Sequence, residues 1–129
     1  MKIALQLLLL ITILTACSTV PSDARIQQKI VGTWKAGRGT TENRPDGSYV
    51  HQFRINVTNE GMKDLTEEGT WRIENGYLIT TITNEPWPDA DHAPLRFKVV
   101  SIDDHKLVVS QADRIMDRNI TNTIVVYRQ

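Results

Sequence analysis

The sequence predicts a mainly β domain: a small antiparallel meander barrel of about 7–8 strands, preceded by one short helix. Three observations predict it. A polar, helix-compatible run stops at Gly32, and an aromatic, Trp34, opens the first strand immediately after it. Over 49–57 the side chains alternate: Tyr49, His51, Phe53, Ile55 and Val57 share one face, while Val50, Gln52, Arg54 and Asn56 share the other. A period of two marks a half-buried antiparallel strand. Turn signals then recur down the chain at Asp46-Gly47, Asn59-Glu60-Gly61, Asn75-Gly76 and Asp103-Asp104-His105, between runs of β-branched and aromatic residues.

The first residues read as a leader, not as part of the fold. Lys2 carries the early positive charge, and 3–14 are apolar except for Gln6 and Thr12. That run is too short to span a bilayer, which needs ~20 apolar residues, and it fits a secretory h-region. It ends in Leu14-Thr15-Ala16-Cys17, which holds the sole cysteine of the chain. This run resembles the bacterial lipobox. The resemblance implies cleavage before Cys17, diacylglyceryl transfer to its thiol and acylation of the new N-terminus. The expected division is therefore 1–16 signal peptide, 17–22 lipidated tether and 23–129 β domain. With its sole cysteine lipidated, an exported chain has no internal disulfide. Ser18 follows, not the Asp that retains Gram-negative lipoproteins in the inner membrane. The expected location is thus the bacterial envelope, anchored in the outer membrane and facing the periplasm.

Charge excludes some partners. Lys and Arg number 15 against 15 Asp and Glu. The chain has no basic block, so nucleic acid is not an expected partner. The membrane is, through acyl chains rather than a charged face.

Within the domain, Ser22 is the expected N-cap of a two-turn helix in which Ile26 and Ile30 share a face. Strands are expected over 34–36, 49–57, weakly over 62–65, then over 70–73, 77–83, 95–102, 106–111 and 120–128. The stretch 37–43 reads as polar and flexible, and 112–119 as ambiguous. The segment 84–94 contains Pro86, Pro88 and Pro94 and reads as a loop, because proline is excluded from central strands.

Gly32-Thr33-Trp34 after a short helix resembles the Gly-x-Trp signature of lipocalins. Asp46-Gly47-Ser48-Tyr49, Gly69-Thr70-Trp71 and Asn75-Gly76 extend the similarity to the small bacterial lipocalin-like lipoproteins. The second lipocalin motif, Thr-Asp-Tyr, is absent. The resemblance implies that Trp34 packs across the closed end of a barrel and that Arg128 or Arg118 stacks on it. Gly32, Trp34, Gly69 and Arg128 are the structural signature residues it suggests.

It also implies a non-enzymatic protein holding a small apolar or amphipathic ligand. Candidate lining residues are His51, Phe53, Ile55, Trp71 and Ile79, with Trp87 on the proline-rich loop. Each has a plainer reading: His51 as a hydrogen-bonded core residue, Trp34 and Trp71 as core aromatics, and Trp87 as a plug of the barrel mouth rather than a contact point. Segment 85–92, with three carboxylates and His92, reads as a solvated loop more than a cation site. No nucleophile motif, phosphate loop or paired-carboxylate spacing is present, so no catalytic residue, cofactor or metal is expected. The competing function is a filled barrel whose loops contact another envelope protein or inhibit a host enzyme.

Overall fold

In the computed structural model of this protein the described residues are 20–84, 86, 93–115 and 118–129, with side chains excluded over 113–119. The expected leader, Cys17, Trp87 and His92 lie outside them, as does the side chain of Arg118.

Helix α1 spans Asp23–Ile30. Its N-cap is Ser22, whose hydroxyl accepts from Arg25 N at 3.3 Å. Ile26 and Ile30 are both fully buried. Val31 turns the chain into extended backbone.

Eight strands follow: β1 Gly32–Ala36, β2 Gly39–Asn43, β3 Ser48–Val57, β4 Gly61–Glu74, β5 Tyr77–Asn84, β6 Leu95–Ile102, β7 Lys106–Ile115 and β8 Arg118–Arg128. Each pairs antiparallel with the next, and β8 returns to β1 through Trp34↔Arg128 and Lys35↔Tyr127, closing the barrel. Closure leaves no free sheet edge to manage. The expected meander barrel with one short helix is thus the observed fold.

The strand count agrees for a reason the sequence concealed. Residues 39–43, read as flexible, form β2, paired along its whole length with both β1 and β3. The two strands expected at 62–65 and 70–73 are one, β4, which runs through Glu67 and Glu68 with a register shift between Glu68 and Gly69. One strand gained offsets one lost. The ambiguous 112–119 stretch extends the β7–β8 ladder as far as Ile115↔Arg118.

The helix closes one end. Asp23 accepts from the backbone N–H of Asn75 at 2.8 Å and of Gly76 at 2.7 Å, tying the helix start to the β4–β5 turn. Lys29 pairs with Asp104 of the β6–β7 turn. Ile26 and Ile30 pack into one cluster with Trp34, Tyr49, Trp71, Val99, Ile102, Leu107 and Val109. The core is therefore the capped half of the barrel.

Candidate functional site: the barrel interior

The floor is built from Trp34. Its indole Nε1 donates to Ile30 O at 2.8 Å, and Asn43 Nδ2 reaches the same carbonyl at 3.3 Å. These bonds satisfy a helix C-terminal acceptor that would otherwise be orphaned. The Arg128 guanidinium lies 4.3 Å from the Trp34 ring centroid. It also donates from Nε to Asp104 O at 2.8 Å, from Nη1 to Val31 O at 2.9 Å and from Nη2 to Lys29 O at 2.5 Å. One side chain thus joins β8, the helix end and the β6–β7 turn. Gly32 makes this possible: a Cβ there would stand 2.3 Å from Arg128 Nη1, and its φ of +130° disfavours any L side chain.

Above the floor the sheet register sets four inward residues side by side. Trp34 faces Thr41 across β1–β2, Thr41 faces His51 across β2–β3, and His51 faces Glu67 across β3–β4. Thr41 Oγ1 and His51 Nδ1 share a 2.8 Å hydrogen bond. Tyr49 OH donates to Glu67 Oε1 at 2.9 Å. The Tyr49 ring lies over Gly69, where a Cβ would meet Tyr49 Cε1 at 2.5 Å and Thr81 O at 2.2 Å. Glycine at 69 is therefore what lets the Tyr49 ring settle inward. Burial pushes the His51 pKa below its ordinary value, opposed by the Glu67 charge and a hydrogen bond with the Thr40 backbone. The imidazole is neutral at pH 7.

These groups form one wall of an internal cavity of about 390 Å³. Thr41, Asn43, Tyr49, His51 and Glu67 make a polar side on β2–β4. Phe97, Leu107, Val109, Ile124 and Val126 make an apolar side on β6–β8, with Leu78, Thr80 and Leu95 of β5 and β6 also lining it. The volume falls in the range of small-molecule sites, ~300–1,000 Å³. An eight-stranded barrel is about the width at which one small ligand first fits.

The candidate lining residues divide. His51 lines the cavity. Phe53 stacks on His51 with centroids 5.0 Å apart and borders a polar surface depression with Arg38, Arg54 and Asp64 instead. Ile55 continues the inward row of β3, half-buried, opposite Lys63. Trp71 belongs to the core cluster: its Nε1 is shared between Ser48 O at 3.0 Å and Arg44 O at 3.2 Å, and its backbone N–H donates to Gly47 O at 2.7 Å. It clamps the β2–β3 turn. Ile79 faces away from the cavity, because its neighbours Leu78 and Thr80 are the inward residues of β5. It is nonetheless 1% exposed, paired in register with Arg72 and Arg96. The expectation of Ile79 as a lining residue is corrected by that alternation.

Glu67, Thr41 and the β6–β8 residues escaped the sequence reading. A signal for Glu67 existed: Leu65, Glu67, Gly69, Trp71 and Ile73 are one alternating set once β4 is read as continuous. Among the described residues no group of three or more His, Cys, Asp or Glu is placed to hold a metal ion.

Fold and geometry together define a closed, eight-stranded antiparallel barrel with a helix-capped floor and a two-sided internal cavity. No protein-family profile matches the chain, and no curated protein is similar to it in sequence.

Proposed function

We propose that this chain is a lipid-anchored, lipocalin-like protein of the bacterial envelope that binds a small amphipathic molecule inside its barrel without catalysing a reaction. The observation that supports the reading best is the two-sided cavity, polar along β2–β4 and apolar along β6–β8. Thr41, His51 and Glu67, turned inward at one level, give that wall polar groups that a ligand head can meet. The lipobox run at Cys17 supports the anchor, and Ser18 supports outer-membrane placement. The acyl chains make the membrane its first partner; an envelope protein reached through the proline-rich segment 84–94 is a further one.

The test is native mass spectrometry of the protein extracted from membranes in mild detergent, paired with displacement of the fluorescent probe N-phenyl-1-naphthylamine from the purified protein. Co-purification of a small molecule, or saturable probe binding that Val109→Trp abolishes while the fold is kept, is the expected result. An empty protein that binds no probe at any concentration overturns the reading.

A further inference from the structure

The cavity has a charge sign. Among the described residues Glu67 is the single formally charged one of its lining apart from the titratable His51, and no described Lys or Arg lines it. The nearest arginine of the floor, Arg128, is committed beneath Trp34 to three backbone carbonyls. Glu67 is half-buried, and its one hydrogen bond among the described residues is the 2.9 Å contact from Tyr49 OH to Oε1. Oε2 receives no donor among them. A half-buried carboxylate with one oxygen open is a ready acceptor for a cationic donor. Around it, the Thr41 hydroxyl and the Asn43 amide add polar groups within the same lining.

We propose that the cavity selects an amphiphile with a protonated amine head: the ammonium meets Glu67 Oε2 at the polar wall, and the alkyl chain lies against Phe97, Val109 and Ile124. This deepens, and rests on, the reading of the cavity as a ligand site. Three features of the site point the same way. An ammonium has donors only, and the polar wall is rich in acceptors. A charge-assisted hydrogen bond to a carboxylate is about twice as strong as a neutral one. A carboxylate-headed amphiphile would meet Glu67 with like charge and find no compensating cation. The neutral state of His51, a consequence of its burial, removes the one group able to reverse that sign. A zwitterionic headgroup bearing an amine also brings a phosphate to a wall without a cation, which separates a free alkylammonium from a phospholipid source.

The experiment is displacement of N-phenyl-1-naphthylamine at pH 7 by octylamine, octanol, octanoate and a lysophosphatidylethanolamine of equal chain length. Octylammonium is expected to compete at least about tenfold more strongly than octanoate, the scale of one charge-assisted contact, with octanol between them and the lysophospholipid weaker than octylammonium. Glu67→Gln keeps an acceptor for Tyr49 OH and is expected to collapse the octylamine–octanol difference. Equal or tighter binding of octanoate overturns the proposal, and so does a preference for octylammonium that survives Glu67→Gln. Tighter binding of the lysophospholipid overturns the alkylammonium assignment. If probe binds but no competitor shows a head-group preference, the charge assignment falls and the cavity reading stands. If neither probe nor competitor binds, both fall together. The wild-type ranking decides the matter even where the variant does not fold.

Discussion

His51 shows how one side chain couples the interior to solution conditions. In the native barrel its pKa is lowered, chiefly by burial and against the pull of Glu67 across the β3–β4 pair. In the unfolded chain it takes up a proton as pH falls through about 6.5. Below that pH, and until the lower native pKa is reached, the unfolded state binds more protons, so stability falls with falling pH. The full stability is present above about 6.5. Melting temperature is therefore expected to drop between pH 7.5 and pH 5.5, and His51→Gln is expected to flatten that limb. A lower acid limb belongs to Asp46, Asp64, Asp103 and Asp104, whose pKa values are depressed mainly by hydrogen bonds from Ser48, Arg54, the His105 backbone and Lys29 respectively. Their contributions are present above their ordinary range and fade as pH falls below it; being solvent-exposed, these groups each add little. A pH profile unchanged by His51→Gln would contradict the buried, neutral imidazole. Trp71 carries a second residue-scale expectation. Its indole N–H serves both Arg44 O and Ser48 O, so Trp71→Phe keeps most of the ring's packing and removes one shared hydrogen bond, while Gly47 N and Arg44 N still donate to those carbonyls. A loss of ~0.5–1.5 kcal/mol is expected from chemical denaturation, without a change in barrel strand content by circular dichroism.

At the scale of elements, α1 is a plug more than an independent helix. Eight residues are too few to be stable alone in water, where isolated helices need ~12–15. Its order comes from Ile26 and Ile30, from the Asp23 clamp on the β4–β5 turn, and from Arg128 and Trp34 holding its last carbonyls. Asp23→Ala removes two backbone-directed hydrogen bonds at an exposed site. We expect a loss of ~1–2 kcal/mol and faster amide hydrogen exchange confined to α1 and the Asn75-Gly76 turn. Exchange that rises uniformly over the barrel would show that the helix and the strands open as one unit. Among the strand pairs, β3–β4 and β7–β8 carry the longest ladders.

For the whole molecule, residues 20–22 lead directly into α1, so the described chain enters the barrel at its helix-capped end. The uncapped mouth, where Leu95 is 40% exposed, is the opposite end. Cys17→Ser is expected to abolish acylation and to move the protein from the membrane fraction into the soluble or uncleaved precursor pool, read by mass spectrometry of each fraction. Acyl chains found on the variant would refute the lipobox reading. The soluble variant is expected to retain probe binding, because the described cavity lining begins at Trp34.

The sequence by itself determined most of the elements and the turns at 46–47, 59–61, 75–76 and 103–105. Those features rest on local chemistry: the two-residue period of β3, the Asp46-Gly47 and Asn75-Gly76 turns, the Ser22 cap, and a large aromatic at the first strand that has to be buried. Tertiary structure alone decided which residues share the interior. Thr41, His51 and Glu67 are far apart in sequence and meet only because two hairpin registers and barrel closure bring them to one level. β2 carries no apolar alternation to announce it, since its inward residues, Thr41 and Asn43, are polar and stable there through hydrogen bonds to His51 and Ile30. The paired glutamates at 67 and 68 look like a break in a strand, yet one faces solvent and the other the cavity, and a single-residue parity that only the neighbouring strands can set makes that difference.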